Sequence, residues 1–254
     1  AYFYMMMVMF FSTSTSLLTS YLTTILRVDN MHTYTLYVWL LPGYLLGAFI
    51  CFWWFRWQRW RFRFLIAGGM MCFVLFFGML YFGISPDSTY EMLYLPMFLR
   101  GLGMLTLIIA FALFAVEDLP PKYLLSNAFF LITFRSVLTP VIASAFYSNA
   151  LYRLQQKYMV ELSETLTATD PLAAARWQST LSSSLAQGHG MDEATQLATN
   201  TLYNVLQQQS TLLALKYILG WLFLVTLVIA IVSRFIPFHK TVRVPVIRMG
   251  EDMV

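Results

Sequence analysis

Hydrophobic positions along this chain gather into six long runs, residues 2–26, 34–55, 64–84, 92–115, 124–147 and 212–235, and none of them holds an aspartate or glutamate. Each run is long enough to cross the roughly 30 Å hydrocarbon core of a bilayer as an α-helix. The pattern predicts six transmembrane helices, the first five joined by short connections as in a compact bundle. Between about Ser148 and Ser210 the chain is polar and rich in Gln, Ser, Thr and Ala. Even so, Leu151, Leu154, Tyr158 and Leu162, and later Leu197, Leu202, Val205 and Leu206, recur there at helical spacing. Asp170-Pro171 reads as an N-cap followed by proline at the first helical position, Gln187-Gly188-His189-Gly190 as a breaker, and Asp192 as a second cap. These signals predict an ordered extramembrane helical element whose last helix runs into span six. The domain reading is spans one to five in 1–147, an external helical loop in 148–210, span six in 211–236 and a tail in 237–254.

Hydrophobic residues make up 59% of the 254 positions and charged residues 11%, and the mean hydropathy is +0.66. That composition belongs to an all-helical polytopic membrane protein and excludes a soluble domain. The basic residues then set its orientation. If the first run starts inside, the inner loops and tail carry Arg56, Arg59, Arg61, Arg63, Lys122, Arg234, Lys240, Arg243 and Arg248, against Arg27, Arg153, Lys157 and Arg176 outside. Both ends of the chain are therefore expected in the cytoplasm. These charges flank spans and form no continuous groove surface, so no nucleic-acid partner is expected. Trp57, Arg59, Trp60, Arg61 and Arg63 alternate aromatic and basic side chains between two spans, a pattern suited to contacts with lipid headgroups.

Charges inside the runs are the candidate chemistry. Arg135 lies near the middle of span five, where a charge costs several kcal/mol unless it faces a partner or a wet cavity. It is read as a substrate or coupling residue, against an arginine that snorkels or bonds helix-end carbonyls. Arg100 is nearer the outer end of span four, and snorkelling accounts for it as well as substrate binding does. Lys216 reads as an interface anchor. Pro42-Gly43, Pro96 and Pro140 sit inside spans two, four and five as candidate hinges, although kinked structural helices are as common. Cys51 and Cys72 read as small hydrophobes. The histidines, His32, His189 and His239, are scattered with no catalytic spacing, and no phosphate-binding or dinucleotide-binding motif occurs, so neither an enzyme nor a metal or cofactor is expected. The chain opens on Ala1 directly before an apolar run, and an N-terminal part is expected to precede it.

Three stretches carry a family resemblance: Phe98-Leu99-Arg100-Gly101-Leu102-Gly103; Leu119-Pro120-Pro121 through Ala128, followed by Phe134-Arg135; and Gly190-Met191-Asp192-Glu193-Ala194 with Leu206 through Ala214. In that order they resemble the C-terminal six-span half of a fourteen-span drug:proton antiporter of the major facilitator superfamily, the EmrB/QacA type. Ser136-Val137-Leu138-Thr139-Pro140 stands where the family has glycines, and Lys216 near the place of a frequent acid. The resemblance implies a major-facilitator-like half in a bacterial inner membrane that exports small amphipathic substrates in exchange for protons by alternating access. It also implies an N-terminal transmembrane half as companion and, in a Gram-negative host, a periplasmic adaptor of the membrane-fusion type. A non-transporting scaffold or assembly subunit is the rival reading, and an intramembrane enzyme a third. The orientation is directly testable: a cysteine placed at Gln187 should react with an impermeant maleimide in intact cells, and labelling only after permeabilisation would reverse the topology.

Overall fold

The computed structural model describes residues 2–28, 30–57, 62–86, 88–116, 119–165 and 171–235. In chain order its α-helices are α1 (Tyr2–Ser12), α2 (Thr15–Thr24), α3 (Asn30–Val38), α4 (Leu40–Trp57), α5 (Phe62–Gly83), α6 (Tyr94–Val116), α7 (Leu124–Thr133), α8 (Thr139–Thr165), α9 (Pro171–Ala186) and α10 (Met191–Phe235). No strand occurs among the described residues. Six helical stretches are long and apolar enough to cross a membrane: Tyr4–Thr24, Tyr34–Arg56, Phe62–Gly83, Tyr90–Val116, Leu124–Glu164 and Met191–Phe235. The described residues are thus an all-helical bundle with six candidate membrane spans.

Its centre is aromatic. Phe11 of α1 meets Phe73 and Phe77 of α5 with ring centroids 6.3 and 6.0 Å apart, and Phe111 of α6 stacks on Tyr4 at 5.3 Å. Span three, α5, packs against both α6 and α10, while span two lies against span four. Spans two and five are peripheral, with only 22% and 11% of their most apolar windows buried. Their uncovered faces are available to lipid or to another helical body.

Spans two and four approach so closely that glycine is required where they cross. A Cβ added to Gly101 would fall 2.6 Å from the Leu40 carbonyl oxygen, and one added to Gly43 would meet the Phe98 carbonyl and lie 2.9 Å from the Leu102 nitrogen. Small residues at such crossings allow backbone-to-backbone packing, the main attraction between helices in lipid. Gly43 is therefore a packing point.

Three expected spans are interrupted. Span one breaks at Thr13-Ser14 and span two at Trp39. In span five a π-helical segment, Phe134–Leu138, separates α7 from α8. The prolines explain part of this. Pro42 and Pro96 are the third residues of α4 and α6, in a first turn where a backbone N–H has no helical acceptor, so each sits at a helix start. Pro140 follows the π segment and has no N–H to give the Ser136 carbonyl.

The helices of spans five and six also extend past the runs. α8 continues to Thr165, and α10 has 45 residues, about 68 Å at 1.5 Å per residue, roughly twice a hydrocarbon core. The domain limits placed at 147/148 and 210/211 therefore fall inside continuous helices. α9 begins at Pro171 and packs on α10, and Gly188 at φ 91° ends the intervening turn. α10 begins at Met191, so Asp192 is inside its first turn beside Glu193, where acids favour the helix dipole, and the cap position falls to Gly190. The N-cap reading of Asp170 lies outside the described residues, as does the tail from 236 onward.

A glycine pair separates packing from propensity. Gly101→Ala should lower bundle stability by about 2–3 kcal/mol. Gly68→Ala, with nothing within 4 Å of the added carbon, should be neutral or stabilising by about 0.5–1 kcal/mol. Thermal unfolding in detergent checks both, and equal effects would contradict the close crossing.

Candidate functional site

Residues 12–16 read Ser-Thr-Ser-Thr-Ser in the middle of an apolar run. Hydroxyl side chains offer the backbone alternative partners, and five in succession loosen a helix. Thr13 Oγ1 donates to the Met9 carbonyl at 2.8 Å, the Ser14 amide donates to Phe11 at 3.3 Å, and the Ser16 amide donates to Thr13 at 3.4 Å. In a regular helix the amides of Ser14 and Ser16 would serve the carbonyls of Phe10 and Ser12. The break therefore frees those two oxygens inside the bundle.

Side chains from other spans take them up. Tyr147 of α8 donates its hydroxyl to the Phe10 carbonyl at 3.1 Å. Arg100 of α6 donates from Nη2 to the Ser12 carbonyl, and its Nη1 lies 4.0 Å from the Met97 sulfur. The guanidinium also stands over the Phe76 ring, 5.9 Å from its centroid, and lies within electrostatic range of Tyr37, Tyr44 and Tyr147. A cation at the end of α1 complements the negative pole of that helix. With 5% of its surface exposed, Arg100 does not snorkel to an interface; it is a core residue of the bundle.

Among the described residues two polar atoms here have no partner, Arg100 Nε and Ser14 Oγ, the latter in a residue 3% exposed. Buried donors left open cost about 1–3 kcal/mol each. The arrangement is thus a desolvated cation with a spare donor, a hydroxyl and an interrupted helix, able to take up an acceptor such as a carboxylate, carbonyl or ordered water.

Arg135 falls within the π segment, where the Phe134 carbonyl accepts both the amide and, at 2.7 Å, the hydroxyl of Thr139. Such segments recur at functional sites. Arg135 is half-buried and makes no hydrogen bond or ion pair among the described residues. The structure does not join Arg135 to Arg100, but α1 packs against both α6 and the π segment and so lies next to each arginine's element.

At the other end of the spans, Arg63 Nε donates to the Arg234 carbonyl, and the Arg234 guanidinium sits 4.9 Å from the Phe64 ring centroid. Arg63 and Arg234 thus share one end of the bundle. Trp57 closes α4, while Arg59, Trp60 and Arg61 lie outside the described residues. Cys51 and Cys72 are free thiols. Tyr147 and the hydroxyl run were not singled out from sequence; five consecutive hydroxyl residues within an apolar run were the available signal.

No family model matches the chain, and neither does any curated protein or solved structure.

Removing the donors should expose the break. Arg100→Met leaves the Ser12 carbonyl unpaired and should cost about 1–3 kcal/mol, with Tyr147→Phe costing about 1 kcal/mol. Unfolding midpoints in lipid nanodiscs measure both, and a neutral Arg100→Met would mean that the carbonyl finds another donor.

Proposed function

We propose that this bundle is one half of a major-facilitator-type secondary transporter that exports amphipathic compounds in exchange for protons. The observation that carries the reading is the buried Arg100 beside the interrupted span one. Transporter sites are commonly built where spans break and free their backbone groups, and an intramembrane charge marks a substrate or ion pathway more often than a packing accident. The π segment at Arg135 adds a second irregularity on a span whose face is largely uncovered, as a face meeting a companion bundle would be. Rocking of the two bundles about that interface would expose the site alternately to each side.

The arginines bind and orient; they do not carry the proton. A guanidinium stays charged at physiological pH, and the six apolar runs contain no aspartate, glutamate or histidine. The titrating group of the exchange accordingly belongs to the companion half, or to substrate. A scaffold reading has one observation in its favour, the helical element formed by α9 with the extensions of α8 and α10, which is larger than a connector requires.

Counterflow of a labelled lipophilic compound in proteoliposomes of the complete exporter tests the reading. Arg135→Ala and Arg100→Ala should each reduce counterflow at least tenfold, a loss of about 1.4 kcal/mol or more, with protein levels maintained. Deletion of 165–190 should leave the bundle folded. Normal counterflow in both arginine variants would remove them from the mechanism, and absence of counterflow by the unaltered exporter would favour the scaffold.

A further inference from the structure

The end of the bundle that carries α9 holds a cavity of about 550 Å³, within the size range of small-molecule sites. Separate stretches of the chain line it: Ile25 beyond α2, Leu162 of α8, Arg176 of α9, and Val205, Gln208 and Leu212 of α10. It shares no lining residue with the Arg100 site. Its lining combines aliphatic side chains with the Arg176 guanidinium and the amides of Gln208 and Gln209.

The polar part is positive. The Arg176 side chain makes no hydrogen bond or ion pair among the described residues, so its five N–H donors are uncommitted. Arg27 brings a second guanidinium to the rim: the Gln208 amide oxygen, turned as its neighbours require, accepts from Arg27 Nε at 3.1 Å and Nη2 at 3.2 Å. Arg27 holds a left-handed backbone, φ 51°, unusual for a residue with a side chain. No acidic side chain is among the described residues lining the cavity. An arginine fork of this kind matches a carboxylate or phosphate, and the aliphatic wall matches an apolar body.

We propose that this cavity binds a small amphipathic anion, its single charged head on Arg176 and its apolar body among Ile25, Leu162, Val205 and Leu212. The head is a carboxylate or phosphate, delivered by a free compound or by a lipid. The site stands independently of the transport reading, since it needs no proton exchange and no companion half. Because α10 continues from the cavity wall into span six, an occupant touches the same helix that crosses the membrane.

Dansylglycine, a fluorescent amphipathic carboxylate, and its uncharged methyl ester are suitable probes for the protein in zwitterionic nanodiscs. The acid should bind with blue-shifted emission and exceed the ester in affinity. Arg176→Gln, at an exposed side chain, should weaken the acid about tenfold and leave the ester unchanged, and Val205→Trp should weaken both by placing an indole where the apolar body lies. Equal affinity for acid and ester, or an acid affinity unaffected by Arg176→Gln, would overturn the proposal, and so would no binding at all in either disc type. Repeating the titration in phosphatidylglycerol nanodiscs separates the sources. Competition in the unaltered protein, lost in Arg176→Gln, assigns the site to a lipid headgroup, and undiminished binding assigns it to a free anion.

Discussion

Inside hydrocarbon no water is present to hydrogen-bond a loose backbone group, so each carbonyl freed by an irregular helix must find a donor within the protein. Span one makes that demand at its centre. Its hydroxyl run diverts the amides of Ser14 and Ser16, and the oxygens left behind on Phe10 and Ser12 are met by Tyr147 and Arg100 from two other spans. The packing of spans one, four and five follows from this accounting as much as from the aromatic core around Phe11, Phe77 and Phe111. The same solution recurs in the last turn of α10, where Arg63 donates to the carbonyl of Arg234. In both places an arginine closes the negative end of a helix that belongs to another segment.

Much of the architecture was legible because a membrane imposes a simple rule on composition. Six acid-free apolar runs reappear as six spanning stretches, the breaker at 187–190 is the turn between α9 and α10, and the last helix runs unbroken into span six. The interruptions were less visible. Serine and threonine return hydrogen bonds to their own helix and are tolerated in apolar runs, so Ser12 to Ser16 did not end the first run although they end α1. Pro42 and Pro96 do lie inside spanning stretches, Tyr34–Arg56 and Tyr90–Val116, but hydropathy did not show that each sits in the first turn of an α-helix, after the break at Trp39 and the short turn Tyr90–Leu93. A π segment leaves almost no mark on hydropathy, so the irregularity at Arg135 had only Pro140 as a hint.

The candidate site was half legible for a related reason. Depth along a span can be counted from its ends, and by that measure Arg135 ranked above Arg100. What faces a residue cannot be counted. Arg100 is the more buried of the two because α1, α5 and α8 close around it, and its donor has a carbonyl to meet only because span one is broken there. The glycine crossing of spans two and four is likewise tertiary: Gly43 read as a flexible point in sequence and is a contact point in the fold. Arg135, by contrast, keeps its donors uncommitted among the described residues on a largely uncovered span, which suits a group that meets a second body.

The dependence of Arg100 on the broken helix is open to a double-mutant cycle. Replacing Thr13 and Ser14 by leucine and alanine should heal span one and return the Ser12 carbonyl to the helix ladder. Thermal unfolding in nanodiscs would then compare Arg100→Met in the native and healed backgrounds. Destabilisation in the native protein and stabilisation in the healed one, where Arg100 is a buried charge without its acceptor, is the expected result. An equal loss in both backgrounds would contradict it, since Arg100 would then be holding something other than the break.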